Sequence, residues 1–348
     1  DPLHDLRQRH GLYPSRHYQS AEMNESKLPF QKTIDELLAG KKSLSRSSLR
    51  SFSDIDSVSL NLLLEAWPRI APDRKRLLLD ELQTLSDNDT LVSFDDLARA
   101  LLNDSDAQVQ AGAIRLLDEC NDAKLIPIYL KILSSDNDAS ARAEAASALG
   151  KFVQLGELEE IPKKTQGRVE DALLEKINSE DDASVRRQAL EAIGYSSRRE
   201  VVTLIESAFH REDPDWQASA LFAMGRSSDE RWEENVIPKI LDENPRVQLA
   251  AIEAAGELGL IPAREILLKM LQDEENDELV VNAAVWSLSQ IGGEDARIYI
   301  ESLIDETEDD DQVEFLEEAL DNLAFTEDLA KFDLLNLDVD DDLIDQEE

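Results

Sequence analysis

The chain has 348 residues, 42% hydrophobic and 5% aromatic, and its 76 acidic against 36 basic residues leave a formal charge of −40. The charge is uneven: residues 1–76 hold 13 basic and 10 acidic residues and the remainder 23 and 66, so the body carries −43. Such a body is repelled by nucleic-acid phosphates and anionic membranes and suits a basic protein partner, while abundant Ala and Leu with few aromatics fit closely packed helices and argue against a β-rich sheet. The single cysteine, Cys120, excludes an internal disulfide and reads as a small core residue. No run reaches the roughly 20 apolar residues that span a membrane, and no signal peptide is evident. A soluble, cytoplasmic, monomeric protein is expected.

Residues 1–29 contain His4, His10 and His17 with little that can pack, and are expected to be disordered. Met23 is a natural start, so residues 1–22 stand outside the fold argument. In the next segment, 30–56, Phe30 to Leu38 predicts a short helix ending at Gly40. A basic, Ser-rich linker then carries Ser47, Ser48, Ser51 and Ser53, where a phosphate would reverse the local charge.

Regular structure is expected over 57–324. Leu60 to Trp67 predicts one helix, and Arg74 to Leu85 its partner. Thereafter a turn with acidic residues and an amphipathic helix recur, most clearly as Asp181-Asp182-Ala-Ser-Val185-Arg186-Arg187-Gln188-Ala189-Leu190-Glu191-Ala192-Ile193-Gly194. The small residue of that helix returns as Ala113, Ala145, Ala189, Ala220, Ala251 and Ala284, at intervals of 32, 44, 31, 31 and 33 residues. A near-fixed period of this size is the mark of a solenoid of stacked helix pairs. About eight pairs are expected, with acidic turns capping the second helix of each. The long interval places an insertion at Lys151–Thr165, a candidate surface loop. A worn last copy, with Leu316 in the small-residue position, predicts a capping repeat, and residues 325–348 form an acidic tail in which Leu, Val, Ile and Phe interleave with Asp and Glu.

The motif Asp182-x-x-Val185-Arg186-x-x-Ala189-Leu190-x-Ala192-Ile193-Gly194, with Ala141-Arg142-Ala143-Glu144-Ala145-Ala146-Ser147-Ala148-Leu149-Gly150, closely resembles the HEAT family, in particular the HEAT-like repeats of bacterial phycobilin lyases. The resemblance implies an all-α fold: a right-handed solenoid of antiparallel helix pairs whose second helices line a concave, partner-binding face. It also implies a polar ladder built from an Asp before the second helix and an Arg just inside it. Here those are Asp182 with Arg186 and Asp138 with Arg142; Gln110, Gln217, Gln248 and Val281 stand at the Arg position elsewhere, so the ladder is expected to be broken.

Scaffolds, adaptors, lyases and a di-iron hydroxylase all use such repeats. The hydroxylase's iron is held by His-Glu pairs, but this chain has no His-Glu dipeptide, and its repeats hold one histidine, His210. One Cys and one His offer no nucleophilic triad, and Asp338 to Asp342 lacks the Gly and Glu of a calcium loop. No enzyme, metal or cofactor is therefore expected. With the Val of the motif as position zero, positions zero, four, five, seven and eight form the core stripe. Position six looks outward and reads Arg115, Ser147, Glu191, Phe222, Glu253 and Trp286. Exposed aromatics among acids suit the capture of a basic, partly apolar protein segment, so Arg115, Glu191, Phe222, Glu253 and Trp286 are the candidate site. A chromophore lyase or other enzyme, and an acidic chaperone or nucleic-acid mimic, remain the alternatives.

Overall fold

The computed structural model describes residues 30–134, 138–272 and 276–344, with side chains as far as Leu329. Among them the fold is all-α, without a strand, as expected. The elements are α1 (30–38), α2 (Arg46–Arg50), α3 (Ser57–Ala66), α4 (Pro72–Asp87), α5 (Asp95–Leu101), α6 (Ala107–Arg115), α7 (Ile126–Leu133), α8 (Ala139–Glu157) and α9 (Lys163–Ile177). They continue as α10 (Ala183–Ile193), α11 (Arg199–Phe209), α12 (Pro214–Arg226), α13 (Glu233–Val236), α14 (Pro245–Glu257), α15 (Ala263–Met270), α16 (Glu278–Ile291), α17 (Glu294–Glu306) and α18 (Asp310–Ile344). The described residues form two compact units, one from 30–122 with 138–141 and the other from 123–134 with 142–344. Residues 1–29, expected to be disordered, lie outside the described residues.

In the first unit, α6 packs on α4 and α5. The segment read as a Ser-rich linker is tied down. Phe52 is fully buried with its ring edge-on to Phe30 at 5.3 Å, and Arg50 pairs with Asp89. The basic residues after Trp67 serve the fold: Arg74 is buried against Glu81 at 2.8 Å, Arg76 holds Asp106 at 2.7 Å, and Lys75 lies over the Trp67 ring. Cys120 is only half-buried, where Arg99 donates to its Sγ at 3.1 Å.

The second unit is a ladder of second helices: α10 packs on α12, α12 on α14, α14 on α16 and α16 on α18, with α9, α11, α15 and α17 as partners. Each rung starts the same way. Asp182, Asp213, Asn244 and Asp277 each accept a bond, at 2.8 to 3.0 Å, from the backbone N–H two residues on. Every such cap contributes about 1 kcal/mol, so the three Asp among them serve the fold. Position zero, Val185, Trp216, Val247 and Val280, is buried throughout.

Rungs approach through glycine. A Cβ on Gly194 would lie 2.7 Å from the Ala223 carbonyl oxygen, and one on Gly256 would lie 2.8 Å from the Ser287 Cα.

Two sequence expectations change. The insertion at Lys151–Thr165 is mostly helix, because Phe152 and Val153 prolong the buried stripe of α8; only 158–162 forms a turn. The first helix expected before α14 is broken over 230–239 into one α turn and two 3₁₀ turns, the last around Pro238, which has no N–H for the helix ladder. At the Arg position of the motif, Gln keeps a bond within its own helix pair. Arg186 donates to the Ile177 carbonyl at 3.1 Å, and Gln217 and Gln248 reach the same end of their own first helices, donating to Arg211 at 2.6 Å and Ile240 at 3.2 Å. Gln110 does so in the first unit, donating to Leu102 at 3.2 Å.

Candidate protein-binding face

Four position-six residues fall on consecutive rungs of the second unit: Glu191 on α10, Phe222 on α12, Glu253 on α14 and Trp286 on α16. The row alternates acid and aromatic. Glu191, Phe222 and Glu253 share one cleft of about 210 Å³, whose lining also includes Gln188, Ser219 and Leu249. Trp286 lies outside that lining, 38% exposed, its ring 6.4 Å from that of Phe315 on α18. Arg115, the fifth candidate, belongs to the first unit, where it stands 3.7 Å from Asp80.

Phe222 is half-buried rather than bare. Arg226, one turn on, lies 4.2 Å from its ring centroid and 5.0 Å from that of Tyr195, and donates to the Glu191 carbonyl at 3.0 Å. One face of the ring therefore carries an internal cation, a contact worth about 0.5–1 kcal/mol at a half-exposed site.

The two acids of the cleft differ in support. Burial pushes the Glu191 carboxyl above its ordinary range, against hydrogen bonds from Ser219 at 2.5 Å and Gln188 at 3.0 Å and the charges of Arg226 and Arg187. Glu253 is raised by burial alone. Glu257, one turn further along α14, is raised by burial and by Glu253, with Arg226 acting the other way. A carboxylate desolvated without a cation beside it gains from any cation brought to it.

Sequence reasoning missed the lip of the cleft. Position minus one faces it as Ser184, Asp215 and Arg246, and Asp215 is paired with both Arg246 and Arg187. On α16 the same position is Leu279, 69% exposed. The seven-residue spacing between positions minus one and six, two helical turns, was the signal that could have found it. Trp216, at position zero of the core stripe, is buried, with Arg211 3.9 Å from its ring centroid. Among the described residues no three His, Cys, Asp or Glu side chains are placed to hold a metal ion, and no helix is long and apolar enough to cross a membrane.

The model of HEAT repeats matches residues 94–163, 201–279 and 233–321, together more than half of the chain. The chain belongs to the HEAT-repeat family. No curated protein matches this HEAT-repeat chain in sequence. Among solved structures, the complex of CpcE and CpcF of phycocyanin lyase from Nostoc sp. PCC7120 is similar at 20% identity with a TM-score of 0.44, over 66% of this chain and 94% of that one. An importin beta structure is similar at 14% identity and a TM-score of 0.40, over 87% and 48%. Human deoxyhypusine hydroxylase is similar at 16% and 0.34, over 86% and 99%.

Proposed function

We propose that this HEAT-repeat chain is a non-catalytic scaffold, a monomer that captures a basic segment of a partner protein on the second-helix face of its second unit. The observation that carries the reading is the row Glu191, Phe222, Glu253, Trp286 on four successive rungs. Lys or Arg side chains of the segment neutralise Glu253 and Glu191, and its apolar side chains cover the free face of Phe222 and the edge of Trp286. The acidic surface speeds encounter, and the aromatic contacts slow dissociation. A phosphate backbone would be repelled by the same charge.

Affinity capture from native lysate at about 0.1 M and about 0.5 M salt, where the screening length drops from about 10 Å to below roughly 5 Å, compares wild type with Phe222→Glu plus Trp286→Glu. The substitutions add acid, so a basic protein held by charge alone stays bound to the variant. A partner kept by wild type and lost from the variant supports the reading. Equal retention by both removes the aromatic row from it.

A further inference from the structure

We propose that the C-terminal part of α18 is a docking helix that pairs with a basic amphipathic helix of a partner protein, a surface separate from the row on α10 to α16. The start of α18 is ordinary capping-repeat packing: Leu316, Ala319 and Leu323 are buried, α16 and α17 lie against it, and Arg297 of α17 holds Glu327 at 2.7 Å. The helix then continues to Ile344. At this point the exposed side turns apolar, with Phe325 62% and Leu329 50% exposed. A purely capping helix would present polar residues here.

These two residues open a seam. Phe325, Leu329, Phe332, Asn336, Val339 and Leu343 follow one another at spacings of four, three, four, three and four. That is the heptad pattern of helix pairing, and along a helix it runs about 27 Å. The single polar member, Asn336, holds an inner position, where an Asn fixes register and partner number at some cost in stability. Of the four positions flanking the seam between Leu329 and Leu343, Asp333 and Asp340 fill one side and Leu335 and Asp342 the other.

The flanking charge selects the occupant. In an antiparallel pair of two copies of this helix, like flanking positions meet and place Asp against Asp. In a parallel pair the acidic flanks again face a helix with no basic residue at those positions. Residues 325–344 hold seven acidic residues and one Lys, Lys331, whose heptad position neither forms nor flanks the seam. A partner helix with an apolar heptad, a polar residue opposite Asn336 and Lys or Arg at its flanks turns each repulsion into attraction.

The test uses the full chain and two synthetic helical peptides with the same seam, Leu with a single Asn, and either Lys or Glu at every flanking position. Binding is followed by fluorescence anisotropy near physiological salt. The Lys peptide is expected to bind wild type at least about tenfold more tightly than the Glu peptide. Leu329→Asp plus Val339→Asp should weaken the Lys peptide at least about tenfold although it makes the chain more acidic. Asp333→Lys, Asp340→Lys and Asp342→Lys together should reverse the preference. Circular dichroism equal to wild type shows that each variant is folded.

Lys-peptide affinity unchanged in the seam variant, or in a chain ending at residue 324, would reduce the effect to a cation on an acidic surface and overturn the proposal. So would sedimentation of wild type as a dimer that the Lys peptide does not dissociate, which would make a second copy the occupant. The variants at Phe222 and Trp286 leave this seam intact, so each reading can fail alone.

Discussion

Gly194 at the end of α10 meets the backbone of Ala223 on α12 so closely that a Cβ on Gly194 would stand 2.7 Å from the Ala223 carbonyl oxygen and 2.8 Å from its Cα. Backbone cannot step aside as a side chain can. The glycine is right-handed helical, so its conformation does not require glycine and only the contact does. Gly194→Ala is therefore expected to lower stability by about 1–3 kcal/mol through overpacking, despite the better helix propensity of Ala. Gly167 inside α9 is the control, because a Cβ there meets nothing within 4 Å. Gly167→Ala should gain about 0.5–1 kcal/mol. Denaturant unfolding of both variants checks the pair, and equal effects would refute the close-approach argument.

Asp181, in the turn before α10, anchors two cations from different helices: Arg142 of α8 at 2.6 Å and Lys176 of α9 at 2.9 Å. Burial disfavours its charge, yet these hydrogen bonds and the backbone N–H of Asp182 outweigh burial and hold the carboxyl well below the ordinary Asp range. A depressed carboxyl contributes stability that is present above its unfolded value, near 3.8, and lost as pH falls through the folded one. Asp181→Asn should cost about 2 kcal/mol at neutral pH, since both cations lose their acid in a mostly buried place. The deficit should shrink as the pH is lowered below 4, which acid titrations of both proteins would reveal.

The rungs, their caps and their buried stripe were legible in the sequence because period, turn chemistry and apolar spacing are local signals. Asp182, Asp213 and Val185 each announce themselves within one motif. The contacts between rungs were not. Nothing in the motif says that Gly194 touches Ala223, or that Asp215 ties Arg187 of the previous rung to Arg246 of the next. The candidate row was found by phase alone, which gives direction but not neighbours. Phase placed Phe222 on the outer face; only the fold shows Arg226 lying on its ring. The extent of α18 was missed because its acidic composition outweighed its spacing.

Gln248 shows how a residue that departs from the motif keeps the motif's task. Its side-chain amide donates to the Ile240 carbonyl at 3.2 Å, as Arg186 donates to Ile177. Ile240 is fully buried, so its carbonyl has little water to turn to. Gln248→Leu should cost about 1–2 kcal/mol by orphaning that acceptor. Gln248→Arg should stay within about 0.5 kcal/mol of wild type, since the longer donor can reach the same oxygen. Should Arg be as harmful as Leu, the two residue types are not equivalent at this position.

Glu253 ties the stability of the second unit to the pH of binding. Burial alone raises its carboxyl above the ordinary Glu value of 4.5. A carboxyl that holds its proton more tightly when folded contributes stability that is complete below the unfolded value and is lost as pH rises through the folded value. Glu253→Gln should thus match wild type near pH 4 and exceed it in melting temperature at pH 7. The same step should weaken capture of a basic segment, because the variant has no charge to offer, and should reduce the proton release that accompanies binding where the folded Glu253 titrates, leaving the share of Glu191, which burial also raises. Calorimetry of the captured partner in two buffers of different ionisation enthalpy measures that release. A variant that melts like wild type at both pH values would show that the Glu253 carboxyl is solvated and stores no free energy for a partner to recover.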